Sequence, residues 1–450
     1  MVTINVKKTT MVKPAERTPR RSLRLSILDR MNNHPLHNTS VQFHRPRPRA
    51  SAGDGDGDSD FFAADILRES LSKVLVAFYP MAGRYRATDD GLGIEIDCNE
   101  EGVLFVEAES VSAVDDFGHF APSPELRKLV PAVDYSGGVS SYPLLLAQIT
   151  YFKCGGVSLG VSMEHHAVDG SSAFHILNSW SEIARGLDIS VPPFLDRSIL
   201  RPRNPPQPKF DHIEYQPASS TNKMISQQNT AKPRHDQDQS IKSAVFKMTK
   251  DQLNIMKSKS NVMNSSTFEI LAGHTWKCVC KARAQPDDQE TTLYFPLSGR
   301  SLSRLKPQLP PGFFGNAIFA ATSVALSGDL QSKPLSYAVS LIHETLVKMD
   351  NGYLRSAIDY LELQPDISLI RRGAHTYRCP NLGITSWSKI GMLDADFGWG
   401  KPCYSGPTEL LFEGKSYIIP STGEDGSLTL AIALHDEHLK VFEKLFYEYV

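Results

Sequence analysis

The chain has 450 residues, 41% hydrophobic and 22% charged, which suits a soluble globular protein of two or three domains with a large core. Its formal net charge of -2 offers no overall attraction to nucleic acid or an anionic membrane, and no apolar run approaches the ~18 residues that span a bilayer. The six cysteines (Cys98, Cys154, Cys278, Cys280, Cys379, Cys403) have neither zinc spacing nor the density of a disulfide scaffold, so mostly buried, reduced thiols are expected. Residues 1–8 lack the apolar stretch of a signal peptide, and the expected compartment is the cytoplasm.

Residues 3–12 read as a first strand, followed by a loop punctuated by Pro14, Pro19 and Arg20-Arg21. Residues 40–44 look extended. The acidic repeat at 51–58 lacks the closing glutamate and spacing of an EF-hand, so a surface loop is expected there rather than a calcium site. A helix follows over 63–78, with Ile66, Leu67, Leu71, Val74 and Leu75 on one face. Strands are expected at 94–96, 103–106 and 144–150.

The alternation over 157–163 predicts another strand. Ser171 and Ser172 are good N-cap residues, and apolar positions recur at Ala173, Ile176, Leu177, Trp180, Ile183, Ala184 and Leu187, which predicts a helix. Between them His165-His166-Ala167-Val168-Asp169-Gly170 forms a tight turn that sets an imidazole beside a carboxylate. A histidine on such a turn, with an ordinary pKa of ~6.5, suits a general base. His166 should point the other way and serve structure.

Residues 216–240 are polar with no apolar period, as in a linker or exposed crossover. The second half resumes at 243–246. Helices are expected at 266–282, 335–349 and 437–447, and strands at 292–297, 317–326 and 428–434. Strands and helices mix without strict βαβ alternation, which favours an α+β fold. No internal repeat is visible.

Three other readings of the motifs fail on context. Gly156-Val157-Ser158-Leu159-Gly160 matches a nucleophile elbow in letters, but Ser158 lies inside a strand pattern rather than at a strand-to-helix turn. His165, His166 and Asp169 make a poor metal site, because adjacent histidines project to opposite sides of an extended chain. Asp396-Phe397-Gly398 has no glycine-rich loop or catalytic loop of a kinase to accompany it.

His-x-x-x-Asp-Gly at 165–170, with Asp396-Phe397-Gly398-Trp399-Gly400 far downstream, resembles the paired signatures of the BAHD acyl-CoA-dependent acyltransferases. Phe78-Tyr79-Pro80-Met81-Ala82-Gly83-Arg84, Leu271-Ala272-Gly273-His274-Thr275-Trp276 and Phe314-Gly315-Asn316 fit in order. Within that family the chain is most similar to the hydroxycinnamoyl-CoA shikimate/quinate group, at 115–118, 152–156, 372–377 and 379–387. The resemblance implies two domains of chloramphenicol-acetyltransferase-like fold with the active site in a channel between them. Residues 1–195 would form the first domain, 196–240 the crossover, and 241–450 the second domain with the Asp-Phe-Gly-Trp-Gly motif.

The resemblance also implies the chemistry. His165 is the base. Asp169 either orients its imidazole as in a triad or, as the resemblance favours, pairs with an arginine, for which Arg300 is the candidate. Thr385 and Trp387 line the acyl and acceptor site and help hold the oxyanion. Arg372 binds an acceptor carboxylate, while Asp396, Gly398, Trp399 and Gly400 form a packed structural turn. The family group usually reads His-Thr-Pro-Ser-Val-Tyr-Phe-Tyr where this chain has residues 37–44. Ser40 is kept, but Asn38 and Gln42 replace a threonine and a tyrosine at the acceptor wall. The expected enzyme moves coumaroyl or caffeoyl from CoA, a substrate rather than a cofactor, to an acceptor hydroxyl, that of shikimate or quinate by the group's habit. Malate, hydroxyphenyllactate or an amine are alternative acceptors. A CoA-thioester hydrolase and a non-catalytic acyl-CoA binder are alternatives of another kind. No metal, membrane or nucleic acid is implied, and a monomer is expected.

Overall fold

The alternating apolar segments assemble into a six-stranded sheet in each of two units. The computed structural model describes residues 2–31, 36–46, 60–89, 91, 93–216, 240–302, 304–371, 373–423 and 425–448. The acidic repeat at 51–58, residues 217–239 of the polar stretch and Arg372 lie outside the described residues. The strands in chain order begin with β1 (Ile4–Val12), β2 (Ser22–Arg24), β3 (His37–His44), β4 (Arg84–Ala87), β5 (Ile94–Asp97), β6 (Val103–Ser110), β7 (Leu145–Phe152) and β8 (Val157–Glu164). They continue with β9 (Ile241–Met248), β10 (Glu290–Ser298), β11 (Ile318–Leu326), β12 (Leu382–Ser386), β13 (Tyr404–Pro407), β14 (Lys415–Pro420) and β15 (Leu428–His435).

The first unit comprises Met1–Ile199, Pro310–Asn316 and Lys389–Glu409. Its sheet runs β1-β6-β7-β8-β3-β13, with a smaller sheet β2-β5-β4. Helices α1 (Ala64–Ala77) and α2 (Gly170–Ala184) pack on the large sheet. Leu67, Leu71, Val74 and Leu75 of α1 are buried, as are Phe174, Leu177 and Trp180 of α2. The Trp180 indole N–H donates to Leu67 O at 3.1 Å and Ser70 Oγ at 2.9 Å, so the largest ring in the layer is buried with its donor satisfied.

The second unit comprises Leu200–Leu309, Ala317–Ser388 and Leu410–Val450, with the sheet β11-β10-β12-β14-β15-β9. Helix α3 (Thr267–Ala282) is buried along most of its length, and α4 (Leu335–Lys348) and α6 (Asp436–Glu448) pack against it, while α5 (Asn351–Glu362) follows α4 in the chain.

These units depart from the expected boundaries. The Asp-Phe-Gly-Trp-Gly segment belongs to the first unit, because β13, just after it, pairs with β3. Residues 310–316 join the same unit through Phe194, which donates to Gly312 O and accepts from Phe314 N, each at 2.9 Å. Residues 200–216 are no bare linker. Arg203 pairs with Asp359 at 2.6 Å, His212 bonds Ser356 at 3.0 Å and Tyr353 donates to Glu214 at 2.8 Å, all within the second unit. Burying those polar groups is tolerable because each has a partner. The cysteines form no disulfide, but Cys154 and Cys379 are exposed rather than buried, since both fall in turns.

Candidate active site

His165 follows the last residue of β8, on the turn that leads into α2. The turn is clamped by backbone and side-chain bonds. The His165 N–H donates to Leu36 O at 2.8 Å, at the head of β3. Glu164, fully buried, accepts from the N–H groups of His166 (2.6 Å) and Ala167 (3.3 Å) and from the Tyr85 hydroxyl. From the other side, Asn316 Nδ2 donates to His165 O at 2.9 Å and His166 O at 3.3 Å. Arg197 Nη2 donates to Ala167 O at 2.7 Å.

Asp29 ties these donors together. It accepts from Asn316 N at 2.8 Å and Nδ2 at 3.0 Å, and pairs with Arg197 Nη1 at 3.0 Å. Asp29 and Arg197 are both buried, which is sustainable only because each charge has its counter-ion and further hydrogen bonds. Gly315 is required beside this network: its φ is 153°, and a Cβ there would lie 2.9 Å from Arg197 Nε.

Asp169, not Ser171 or Ser172, caps α2: its Oδ1 accepts from Ser172 N at 3.0 Å. A carboxylate at this position satisfies a free N–H and complements the helix dipole. Ser172 instead bonds Gly315, with Oγ donating to Gly315 O at 2.9 Å and accepting from Gly315 N at 3.0 Å. His166 is buried with Nδ1 3.4 Å from Glu164. The ordinary pKa expected of His165 is corrected: burial pushes it down, further than the carboxylates of Glu164 and Asp169 raise it. Ser158 is fully buried in mid-strand.

Strand β3 sets Asn38, Ser40, Gln42 and His44 on one face by its period of two. Asn38 is exposed and the other three are buried. Gln42 Nε2 donates to Met392 O at 3.0 Å, while its Oε1 has no hydrogen-bond partner among the described residues. His44, at the far end of the strand, meets Phe62 at 4.3 Å between ring centroids, and Phe62 meets Trp399 at 4.8 Å. Asp396 Oδ1 accepts from Gly398 N at 2.8 Å and Gly400 N at 2.9 Å, closing the signature turn on itself. Phe397 packs edge-on against Trp180 of α2 at 5.3 Å. One strand and one helix thus join the two signatures: β3 and α2 each touch the His165 turn at one end and the Asp396–Gly400 turn at the other.

In the second unit, parallel pairing of β12 with β14 sets Thr385 opposite Tyr417. Thr385, Trp387, Lys415 and Tyr417 share a half-buried face, and Ile384 and Ile418 fill the buried one. Trp387 lies edge-on to Tyr417 at 4.8 Å. Lys415 Nζ donates to Thr385 Oγ1 at 2.9 Å and lies 4.7 Å and 5.2 Å from the ring centroids of Tyr377 and Tyr417. Gly383 is needed here, since a Cβ would come within 2.3 Å of Tyr377 Cδ1. Arg300 stands on the turn after β10, its N–H donating to Ser298 Oγ at 3.3 Å. No group of three or more His, Cys, Asp or Glu among the described residues could hold a metal ion, and no described helix is long and apolar enough to cross a membrane.

A family model described as the Transferase family matches residues 2–449. The chain is 54% identical over 450 residues to shikimate O-hydroxycinnamoyltransferase of Nicotiana tabacum, covering 99% of this chain and 100% of that one. The chain belongs to the BAHD acyltransferase family. It is also 48% identical over 454 residues to rosmarinate synthase of Plectranthus scutellarioides, covering 99% of each. The crystal structure of vinorine synthase has a similar fold, with a TM-score of 0.73 at 22% identity over 98% of this chain and 96% of that one.

Reading the sequence of this BAHD enzyme missed Asp29, Glu164, Arg197 and Lys415. Asn316 appeared only as part of a matching segment. Asp29 closes a local capping box with Ser26, but nothing local marks its pairing with Arg197 or Asn316, far along the chain. Lys415 carries no clear signal either, because Lys-Ser-Tyr-Ile-Ile-Pro at 415–420 does not alternate polar with apolar residues.

Proposed function

We propose that this acyltransferase moves a hydroxycinnamoyl group, coumaroyl or caffeoyl, from CoA to a hydroxyl of shikimate or quinate. The observation that carries the reading is the His165 turn, whose backbone is held on both sides by buried partners. A base fixed in this way is preorganised for its proton. Burial keeps the imidazole neutral near pH 7, so it is ready to accept. His165 takes the acceptor hydroxyl proton as the oxygen attacks the thioester carbonyl. The Trp387 indole N–H helps stabilise the oxyanion, Thr385 lines the acceptor side, and collapse expels the CoA thiolate, whose thiol pKa of ~8.5 makes it a good leaving group. Arg372 binds the acceptor carboxylate, a task suited to a guanidinium fork. No metal enters these steps, and the enzyme works as a cytoplasmic monomer.

A second acceptor, malate, hydroxyphenyllactate or an amine, is favoured by one feature. Gln42 brings a buried amide, with Oε1 lacking a hydrogen-bond partner, to the strand face that also carries Asn38 and Ser40. The test is a panel of these acceptors with coumaroyl-CoA, following CoA release and ester or amide product. Saturable turnover with shikimate or quinate supports the reading. CoA release that is equally fast without any acceptor would mean a hydrolase.

A further inference from the structure

Lys415 has no part in the chemistry above, yet its ammonium donates to Thr385 Oγ1 at 2.9 Å. That bond has a consequence for the hydroxyl. A hydroxyl has one hydrogen and two lone pairs, and an ammonium can only donate. Thr385 therefore accepts from Lys415, and its own hydrogen is turned elsewhere. The geometry makes Thr385 a committed donor backed by a positive charge.

The charge is held in place. The Lys415 ammonium lies within reach of the faces of Tyr377 and Tyr417, an arrangement that attracts a cation. Tyr417 is in turn braced edge-on by Trp387. No carboxylate is paired with Lys415 among the described residues' salt bridges, and the strand face is half-buried, so the charge is not cancelled locally and is screened less than a fully exposed one.

Resting on the acyltransferase reading, we propose that Lys415 is a specificity residue, acting through Thr385 to make this wall favour an acceptor that carries a carboxylate over its neutral or cationic counterparts. An anion gains both the Thr385 donor and the nearby charge. An ammonium acceptor meets a like charge.

The experiment measures kcat and KM at saturating coumaroyl-CoA for shikimate, its methyl ester and tyramine, which are anionic, neutral and cationic. The parent should prefer shikimate to the ester. Lys415→Met keeps the length and apolar stem of the side chain but removes charge and donor. It should lower kcat/KM for shikimate by ~10- to 100-fold, the scale of a hydrogen bond to a charged group. Most of the loss should fall in KM, while the ester changes by less than ~3-fold and tyramine, relieved of a like charge, improves. Lys415→Arg should restore most of the shikimate activity. In a Thr385→Val background the Lys415→Met effect should shrink, as coupled residues do in a double-mutant cycle.

Equal losses on all three acceptors overturn the inference, as does an unchanged shikimate preference in a Lys415→Met variant that melts like the parent. If Lys415→Met does not fold, the parent still decides: no preference for shikimate over its methyl ester overturns the inference. A parent that transfers to none of the acceptors overturns the functional reading and the inference with it. Transfer without charge selectivity overturns the inference alone.

Discussion

The His165 turn and the Thr385 strand face are built on different plans. The first is a piece of backbone fixed by buried partners: Arg197, Asn316 and Glu164 hold carbonyls and N–H groups of residues 165–167, and Asp29 holds Arg197 and Asn316. The second is a row of side chains on the half-buried face of a parallel strand pair, held by packing and one ammonium–hydroxyl bond. The difference teaches where variation is tolerated. In the proposed mechanism the base must meet its proton within a few tenths of an ångström, and the support of His165 is redundant and buried. The Thr385 face, the proposed recognition wall, can change one side chain at a time without moving the backbone.

The comparison predicts unequal responses to mutation. His165→Ala should cut turnover by ~100- to 10,000-fold, the usual cost of removing a general base, while CoA-ester binding survives. Near-native kcat in a folded variant would remove His165 from the chemistry. Arg197→Met comes next. It removes the counter-ion of buried Asp29 and the donor to Ala167 O, and breaking one side of a buried ion pair costs about 3–5 kcal/mol. Denaturant unfolding should show that loss together with reduced activity. A variant as stable as the parent would mean the network is not what holds the turn.

Acid should act on buried histidines in both units. Burial pushes the His44 pKa down to about 3 and that of His274 down to about 4. Unfolded histidine titrates near ~6.5, so below that pH the unfolded chain binds more protons than the folded one. Stability present above pH ~6.5 is therefore lost as pH falls toward the folded values, by up to ~1.4 kcal/mol per pH unit for each histidine. His44→Phe should flatten the fall in stability between pH 6.5 and 5, and identical pH slopes for parent and variant would contradict this. The smallest effect belongs to Asp169→Ala, which removes the cap of α2 and should cost ~1 kcal/mol, read as a lower melting temperature with activity lowered alongside. If the variant melts like the parent but is inactive, Asp169 acts directly on His165.

Local pattern made the His165 turn legible, because strand alternation ends at Glu164 and helical spacing begins within a few residues. The N-cap was misplaced by two residues because Asp169 and Ser171 are both good caps in sequence. In the structure Asp169 Oδ1 takes the Ser172 N–H, while the Ser172 hydroxyl is committed to Gly315. β12 and β14 were not foreseen, since strands of 5 and 6 residues with a glycine or proline in them leave little periodicity to read. Their extended shape comes from pairing with each other and with β10 and β15. The Asp396–Gly400 segment was assigned to the wrong unit for a similar reason: nothing near it says that β13 joins β3.

By itself the sequence determined the two signatures, the mixed α+β character and the residue types available for chemistry, because these depend on side-chain identity and short-range periodicity. Tertiary structure alone decided which distant residues support them. It brought Asp29, Arg197 and Asn316 to the turn, lowered the His165 pKa by burial, and set Lys415 against Thr385. Desolvation and hydrogen bonding depend on neighbours in space, and those neighbours lie from 30 to nearly 290 positions apart along this chain.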